Sequence, residues 1–216
     1  KILVTRDVPM WEEVSKPLGE AGHVVVVADQ SGPIERKRLE AELEKGYDGI
    51  MTLLTEKVDG DLLKHDEGGR LKIVANYAVG YDNIDILACK SKNIMVTNTP
   101  SDKVNESVAE HAWALILALS RRIVEADMFM RNAAYRGWEP DLFVGQDLVG
   151  KTVGIVGMGR IGGMVARRAH GFGMRVLYYN RKRVEETMER ENGVEFRESL
   201  EGLIRESDII TLHVPL

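Results

Sequence analysis

Residues Thr152-Val-Gly-Ile-Val-Gly157-Met158-Gly159-Arg160-Ile161-Gly162 join an apolar, β-branched run to a helix-forming run through glycines spaced G-x-G-x-x-G. Few folds tolerate that junction. The first glycine permits a tight turn off the strand, the second lets a pyrophosphate approach the backbone, and the third lets the helix lie close on the sheet. A second apolar run, Arg175–Tyr179, closes a βαβ unit, which is the context the motif requires. The pattern therefore places Gly157, Met158, Gly159, Arg160, Ile161 and Gly162 around the phosphates of a dinucleotide. There the free amides and positive dipole end of a helix meet negative charge. A glycine-rich turn that binds nothing is the alternative.

The rest of the chain repeats the same alternation. Lys1–Thr5, His23–Ala28, Gly49–Thr52, Lys72–Ala75 and Ile94–Thr97 read as strands. Trp11–Glu20, Glu35–Lys45, Gly60–Lys64 and Ile84–Ser91 read as the helices between them. Strands that are nearly all apolar belong in a parallel sheet covered by helices on both faces. The class is thus α/β, with doubly wound parallel sheets. Asn105–Arg121 is apolar almost all round and predicts a helix buried on most faces. Val124–Gly150 reads as a less regular arm that packs on something. From Lys151 a second series follows: strand Thr152–Val156, a helix from Arg160, strand Arg175–Tyr179, short strand Val194–Phe196, helix Leu200–Arg205 and strand Asp208–Val214.

At the end of the Arg175–Tyr179 strand, a dinucleotide fold usually carries an acid for the ribose 2′-hydroxyl. Here the sequence reads Asn180-Arg181-Lys182-Arg183. An acid would repel a 2′-phosphate, whereas arginine gives it charge-assisted bonds. The turn predicts NADP(H) in preference to NAD(H), with NAD(H) still possible. A merely solvated basic turn is the other reading.

Composition narrows the field without naming a chemistry. With 29 basic and 34 acidic residues mixed along the chain, the net charge of −5 offers no general attraction to nucleic acid. No apolar run approaches the ~18 residues of a membrane span. The apolar residues after Lys1 end at Arg6 and Asp7, so no signal peptide is expected. One cysteine, Cys89, excludes an intramolecular disulfide and suits a reducing, cytoplasmic compartment. No cysteine and histidine cluster has metal-ligand spacing, so no metal is expected. No G-x-S-x-G nucleophile motif is present.

Several blocks, in order along the chain, resemble the D-isomer-specific 2-hydroxyacid dehydrogenases. They are Asn76-Tyr-Ala-Val-Gly80-Tyr-Asp-Asn-Ile-Asp85, Asn98-Thr-Pro100 followed by Val108-Ala109-Glu110, Gly150–Gly162, and Asp208-Ile-Ile-Thr-Leu-His-Val-Pro-Leu216. Within that family the basic turn after Tyr179 resembles the NADPH-using glyoxylate and hydroxypyruvate reductases. The resemblance implies a flavodoxin-like substrate domain over residues 1–98 and an incomplete Rossmann domain over residues 99–216. It implies that Val79 and Gly80 offer backbone N–H groups to a substrate carboxylate, the turn forming an anion-binding nest. Leu53 would line the substrate pocket, or be an ordinary core leucine. Val108 would sit at the ribose or nicotinamide end of the cofactor, or be a core valine. His213, Val214 and Pro215 would flank the adenosine. The helix and arm over residues 105–149 would form a homodimer.

The family's chemistry also needs an Arg, a His and a carboxylate that follow its His-Val-Pro-Leu block. They are therefore expected beyond Leu216, and this chain alone is expected to be inactive. His111 beside Glu110 is no substitute, because adjacent helical residues point ~100° apart. His23, His65 and His170 have no plausible partner nearby in sequence. The expected reaction is reduction of a short 2-keto acid by NADPH. An NAD-dependent D-lactate or D-3-phosphoglycerate dehydrogenase and a cofactor-sensing corepressor are the alternatives.

Overall fold

A computed structural model describes residues 1–28 and 32–214. They form two compact units, Lys1–Ser101 and Asp102–Leu216.

In the first unit the chain runs β1 (Ile2–Val4), α1 (Trp11–Glu20), β2 (Val25–Val27), α2 (Arg36–Leu43) and β3 (Gly49–Thr52). After two 3-10 turns, Leu62–His65 and Glu67–Gly69, come β4 (Ile73–Asn76), α3 (Ile86–Ser91) and β5 (Met95–Thr97). The sheet is parallel throughout, in the order β2-β1-β3-β4-β5. This is the flavodoxin-like order. Leu3, Ile50 and Val74, in register across β1, β3 and β4, are buried with Leu39 and Leu43 of α2. The segment Gly60–Lys64, expected to be helical, forms only the Leu62–His65 turn, which buries Leu62 and Leu63. Asp59 ends the approach by accepting the Leu62 N–H at 2.9 Å.

The second unit runs α4 (Asp102–Ser120), α5 (Ile123–Arg131), β6 (Thr152–Val156), α6 (Arg160–Gly171), β7 (Arg175–Tyr179), α7 (Glu186–Asn192), β8 (Glu195–Phe196), α8 (Leu200–Glu206) and β9 (Ile209–Leu212). Its parallel sheet has the order β8-β7-β6-β9, with β6 central. Ile155 and Tyr178 pair across β6 and β7 and are fully buried with Val165, Ala166 and Ala169 of α6. α4 docks on α6 through Trp113, whose indole Nε1 donates to the Val165 carbonyl at 3.1 Å and whose ring stacks on Phe172.

Within this unit α4 buries one stripe at helical spacing, Asn105, Ala109, Trp113 and Ile116. Leu115 and Leu119 are 59% and 81% exposed. Val124–Gly150 is not irregular throughout, because α5 occupies its first part. Arg122, in the left-handed region at φ 54°, ends α4 and restarts the helix without any glycine or proline to mark the break. The short helix α7 is likewise unmarked in the sequence. Among the described residues no helix is long and apolar enough to cross a membrane.

Candidate nucleotide and substrate sites

Both sheets are parallel, so their loops gather at the carboxyl ends of the strands, where open α/β sheets bind ligands. At the end of β6, Gly157 takes φ 101° and donates its N–H to the Tyr179 carbonyl at 3.0 Å. A Cβ there would overlap the His213 carbonyl, and a Cβ at Gly162 would overlap the Gly157 carbonyl and lie 3.3 Å from Ile155 Cγ2. The fold itself therefore requires glycine at 157 and 162. Gly159 is different: a Cβ there meets nothing within 4 Å, and the backbone is extended. Packing within the described residues therefore does not require glycine at 159.

α6 starts at Gly159 with no side chain capping it. Among the described residues, no acceptor takes the N–H groups of Gly159, Arg160 or Ile161. An uncapped helix start leaves these donors and the positive dipole end facing outward, which fits an anion such as a pyrophosphate. Met158 differs from its neighbours in this turn. Its side chain is buried, and its N–H is already donated to Asn180 Oδ1 at 2.7 Å.

In the basic turn, Arg181 and Lys182 are exposed, and among the described residues no carboxylate pairs with them. Arg183 is committed elsewhere. Its Nε and Nη2 form a fork on Glu189 at 2.8 and 2.7 Å, and Tyr178 Oη donates to the same carboxylate at 2.6 Å. The Arg183 hydrogen bond, then that of Tyr178, holds the Glu189 carboxyl down at about 2. Burial, reinforced by Glu189, pushes the Tyr178 hydroxyl up to about 12.

His213 follows β9, its N–H donated to the Val156 carbonyl at 2.8 Å and its Nε2 2.9 Å from Thr211 Oγ1. Burial lowers its pKa below the usual histidine value. Val108 and His213 line the same groove of about 420 Å³ between α4 and β9, together with His111, Leu115, Thr211 and Leu212. Val108 is 41% exposed and so is not a core valine. Val214 is exposed beside Gly157, and Pro215 lies outside the described residues.

In the first unit, the loop after β4 is held from within. Asn76 Nδ2 donates to the Gly80 carbonyl at 2.9 Å, Asn98 Nδ2 to the Val79 carbonyl at 2.8 Å, and Thr99 N–H to the Ala78 carbonyl at 2.8 Å. Asn83 Nδ2 ties the loop to the Leu53 and Glu56 carbonyls at 3.0 and 2.9 Å. Every one of these bonds takes a carbonyl. Among the described residues, the N–H groups of Val79, Gly80 and Tyr81 have no acceptor. The loop thus has three backbone donors in a row with no partner among the described residues, which suits an anion. It is not a nest in the strict sense, since no residue from Tyr77 to Asn83 has a positive φ. Gly80 has ordinary room for a Cβ, with Leu54 Cδ2 at 3.8 Å. Leu53 is half-buried, its N–H donated to Glu56 Oε2 at 2.5 Å.

The residues that sequence reasoning overlooked are those that hold the loops. Asn76 ends an otherwise apolar strand and is buried, which is the one signal that could have marked it. Glu56, 3% exposed, accepts from Leu53 N–H and the Thr5 and Thr55 hydroxyls. Nothing local in the sequence announces it. The statement that His65 lacks a partner holds only locally: Glu44 Oε1 lies 2.7 Å from its Nδ1, 21 residues away. Among the described residues, no group of three His, Cys, Asp or Glu side chains could hold a metal ion.

Residues 113–216 match the family described as D-isomer specific 2-hydroxyacid dehydrogenase, NAD binding domain. The glyoxylate reductases of Thermococcus kodakarensis and Pyrococcus horikoshii are 47% and 44% identical to the chain over its whole length. The chain belongs to the D-isomer specific 2-hydroxyacid dehydrogenase family. It spans 63% of the length of these curated relatives. Solved structures agree with the family assignment. A protein of Thermus thermophilus is 37% identical with a TM-score of 0.83, covering all of this chain and 65% of its own. A D-lactate dehydrogenase of Aquifex aeolicus, solved with NAD and lactic acid, is 32% identical with a TM-score of 0.78, over all of this chain and 61% of its own. The glycine-rich turn thus lies inside the segment that matches the family's NAD-binding domain.

Proposed function

We propose that the protein reduces glyoxylate or hydroxypyruvate to the 2-hydroxy acid with hydride from NADPH. The observation that carries this reading is the bare turn at Gly159, with the N–H groups of Gly159, Arg160 and Ile161 unopposed at the start of α6. That turn fits a pyrophosphate, and the exposed Arg181 and Lys182 suit a 2′-phosphate. When bound, the nicotinamide supplies the hydride. The chain's own part is positioning. Val79 and Gly80 receive the substrate carboxylate on their N–H groups, and Leu53 borders it. His213 and Val214 border the adenosine end, Pro215 continues that edge, and Val108 lies toward the nicotinamide end. The Arg, His and carboxylate of the family's chemistry have no counterpart that we can assign among residues 1–216.

The substrate domain comprises residues 1–98 and the cofactor domain begins at residue 99. The protein is cytoplasmic, and its partner is a second copy, docked through residues 105–149. Ile123, Val124, Met128 and Trp138, all exposed, are the apolar surface that copy would cover. Sedimentation of the intact protein as a monomer would end that part of the reading.

NAD-dependent reduction to D-lactate is the second reading, favoured by one observation: Arg183 is held by Glu189, so fewer cations remain for a 2′-phosphate. Steady-state kinetics of the intact protein with both cofactors decides. A higher kcat/KM with NADPH supports the first reading, and a clear NADH preference overturns it.

A further inference from the structure

We infer that Glu56 is a positioning residue for the substrate, its buried carboxylate setting the Leu53–Leu54 turn against the loop that carries Val79 and Gly80. This rests on the reading above that those residues receive the substrate. Glu56 is 3% exposed and lies in the turn after β3. Its Oε2 accepts from the Leu53 N–H at 2.5 Å and from the hydroxyl of Thr5, just after β1, at 3.0 Å. Its Oε1 accepts from the Thr55 hydroxyl at 2.6 Å. Among the described residues no cation pairs with it. A buried carboxylate without a cation is a costly way to fill space. What it contributes is direction, because three donors converge on two oxygens.

The Leu53 peptide is gripped at both ends. Its N–H goes to Glu56, and its carbonyl accepts from Asn83 Nδ2 at 3.0 Å. The same Asn83 nitrogen donates to the Glu56 carbonyl at 2.9 Å, and the Val58 N–H donates to the Asn83 carbonyl at 2.8 Å. Asn83 Oδ1 in turn accepts from Asn76 Nδ2 at 3.1 Å, and that nitrogen also donates to the Gly80 carbonyl at 2.9 Å. Hydrogen bonds thus run unbroken from the Glu56 carboxylate through Leu53, Asn83 and Asn76 to Gly80. Leu54, 58% exposed, brings its Cδ2 to 3.8 Å from where a Gly80 Cβ would stand. Pocket wall and anion-binding loop therefore share one frame. Without the carboxylate, the Leu53 N–H loses its acceptor and the wall is free to shift against Gly80.

Four forms of the intact protein test this: wild type, E56A, E56D and E56Q. The readouts are KM for glyoxylate and for NADPH, hydrogen exchange at Leu53 and across Tyr77–Asn83, and a thermal melt. E56A speeds exchange at Leu53 and raises KM for glyoxylate about tenfold, the worth of one ordering hydrogen bond, while KM for NADPH stays within about twofold of wild type. E56D, which draws the carboxylate back by one methylene, gives a smaller shift of the same kind and serves if E56A does not fold. E56Q rescues: its amide oxygen can accept from Leu53 and Thr5 while its nitrogen donates to the Thr55 hydroxyl, so KM for glyoxylate returns to within about twofold of wild type. A lowered melting temperature with unchanged glyoxylate KM in E56A and E56D overturns the positioning role, as does an equal rise in both KM values. E56Q as impaired as E56A overturns the acceptor role. The substrate reading has its own control in the wild type. With NADPH present, oxalate, which has no aldehyde or ketone to reduce, should slow exchange at Val79 and Gly80. If it does not, that reading has failed, and the inference falls with it.

Discussion

Arg183 closes a two-point fork on Glu189, Nε to Oε1 at 2.8 Å and Nη2 to Oε2 at 2.7 Å, in the turn where a free arginine was expected. Its guanidinium also lies over the Phe196 ring, 5.7 Å from the centroid. A bidentate arginine–carboxylate pair is specific in geometry and commits two of the five guanidinium N–H donors to one partner. Arg183 therefore ties the turn after β7 to Glu189 of α7, whereas Arg181 has no carboxylate partner among the described residues.

Substituting each arginine in turn separates these roles. R181A should weaken NADPH binding about tenfold or more, the worth of a lost bond to phosphate, and leave the melting temperature near that of wild type. R183A should lower the melting temperature and change NADPH affinity by no more than about twofold. Calorimetric titration and thermal melts measure both. Equal affinity losses in the two variants would contradict this division.

The same fork predicts a dependence on pH. Glu189 falls from the ordinary 4.5 to about 2 in the folded protein. A depressed carboxyl stabilises the fold above its unfolded value, and that contribution disappears as pH falls through the folded one. Melting temperatures of wild type and E189Q should differ most at pH 5 and above, and converge as pH approaches 2. A gap that widens toward low pH would show that the carboxylate is not what the fork stabilises.

Two glycines of one motif should fail in different ways. At Gly159 a methyl group meets nothing, so G159A should fold as stably as wild type and bind NADPH about tenfold more weakly. At Gly162 the methyl group overlaps the Gly157 carbonyl, so G162A should lose about 1–3 kcal/mol of stability, typical of overpacking. Urea denaturation with nucleotide titration distinguishes them. A destabilised G159A would mean that the fold, and not a ligand, requires that glycine.

Asn98 holds the Val79 carbonyl at 2.8 Å, in the loop whose Val79, Gly80 and Tyr81 N–H groups have no acceptor among the described residues. N98A should raise KM for glyoxylate about threefold to tenfold in the intact enzyme, as expected when one hydrogen bond of about 1 kcal/mol no longer orders a binding loop. KM for NADPH should stay unchanged. A shift in the nucleotide KM alone would place Asn98 in a different role.

The sequence by itself determined the α/β class, the strands β3, β6 and β7 to the residue, and the turn at Gly157–Gly162. These are properties of local pattern: apolar runs set strand burial, and glycine spacing sets what backbone geometry is open. Tertiary structure decided which polar groups are spent and which are free. Arg181 and Arg183 are both exposed arginines of one turn, and only the fold of α7 brings Glu189 to one of them. Met158 and Gly159 both carry amides in one motif, and only the pairing of β6 with β7 brings Asn180 to the first. The stripe that α4 buries was also undecided, since a helix apolar all round has no preferred face until Trp113 meets α6. Hydrogen bonds and ion pairs between residues distant in sequence depend on where separate elements come to lie, and no local pattern encodes that.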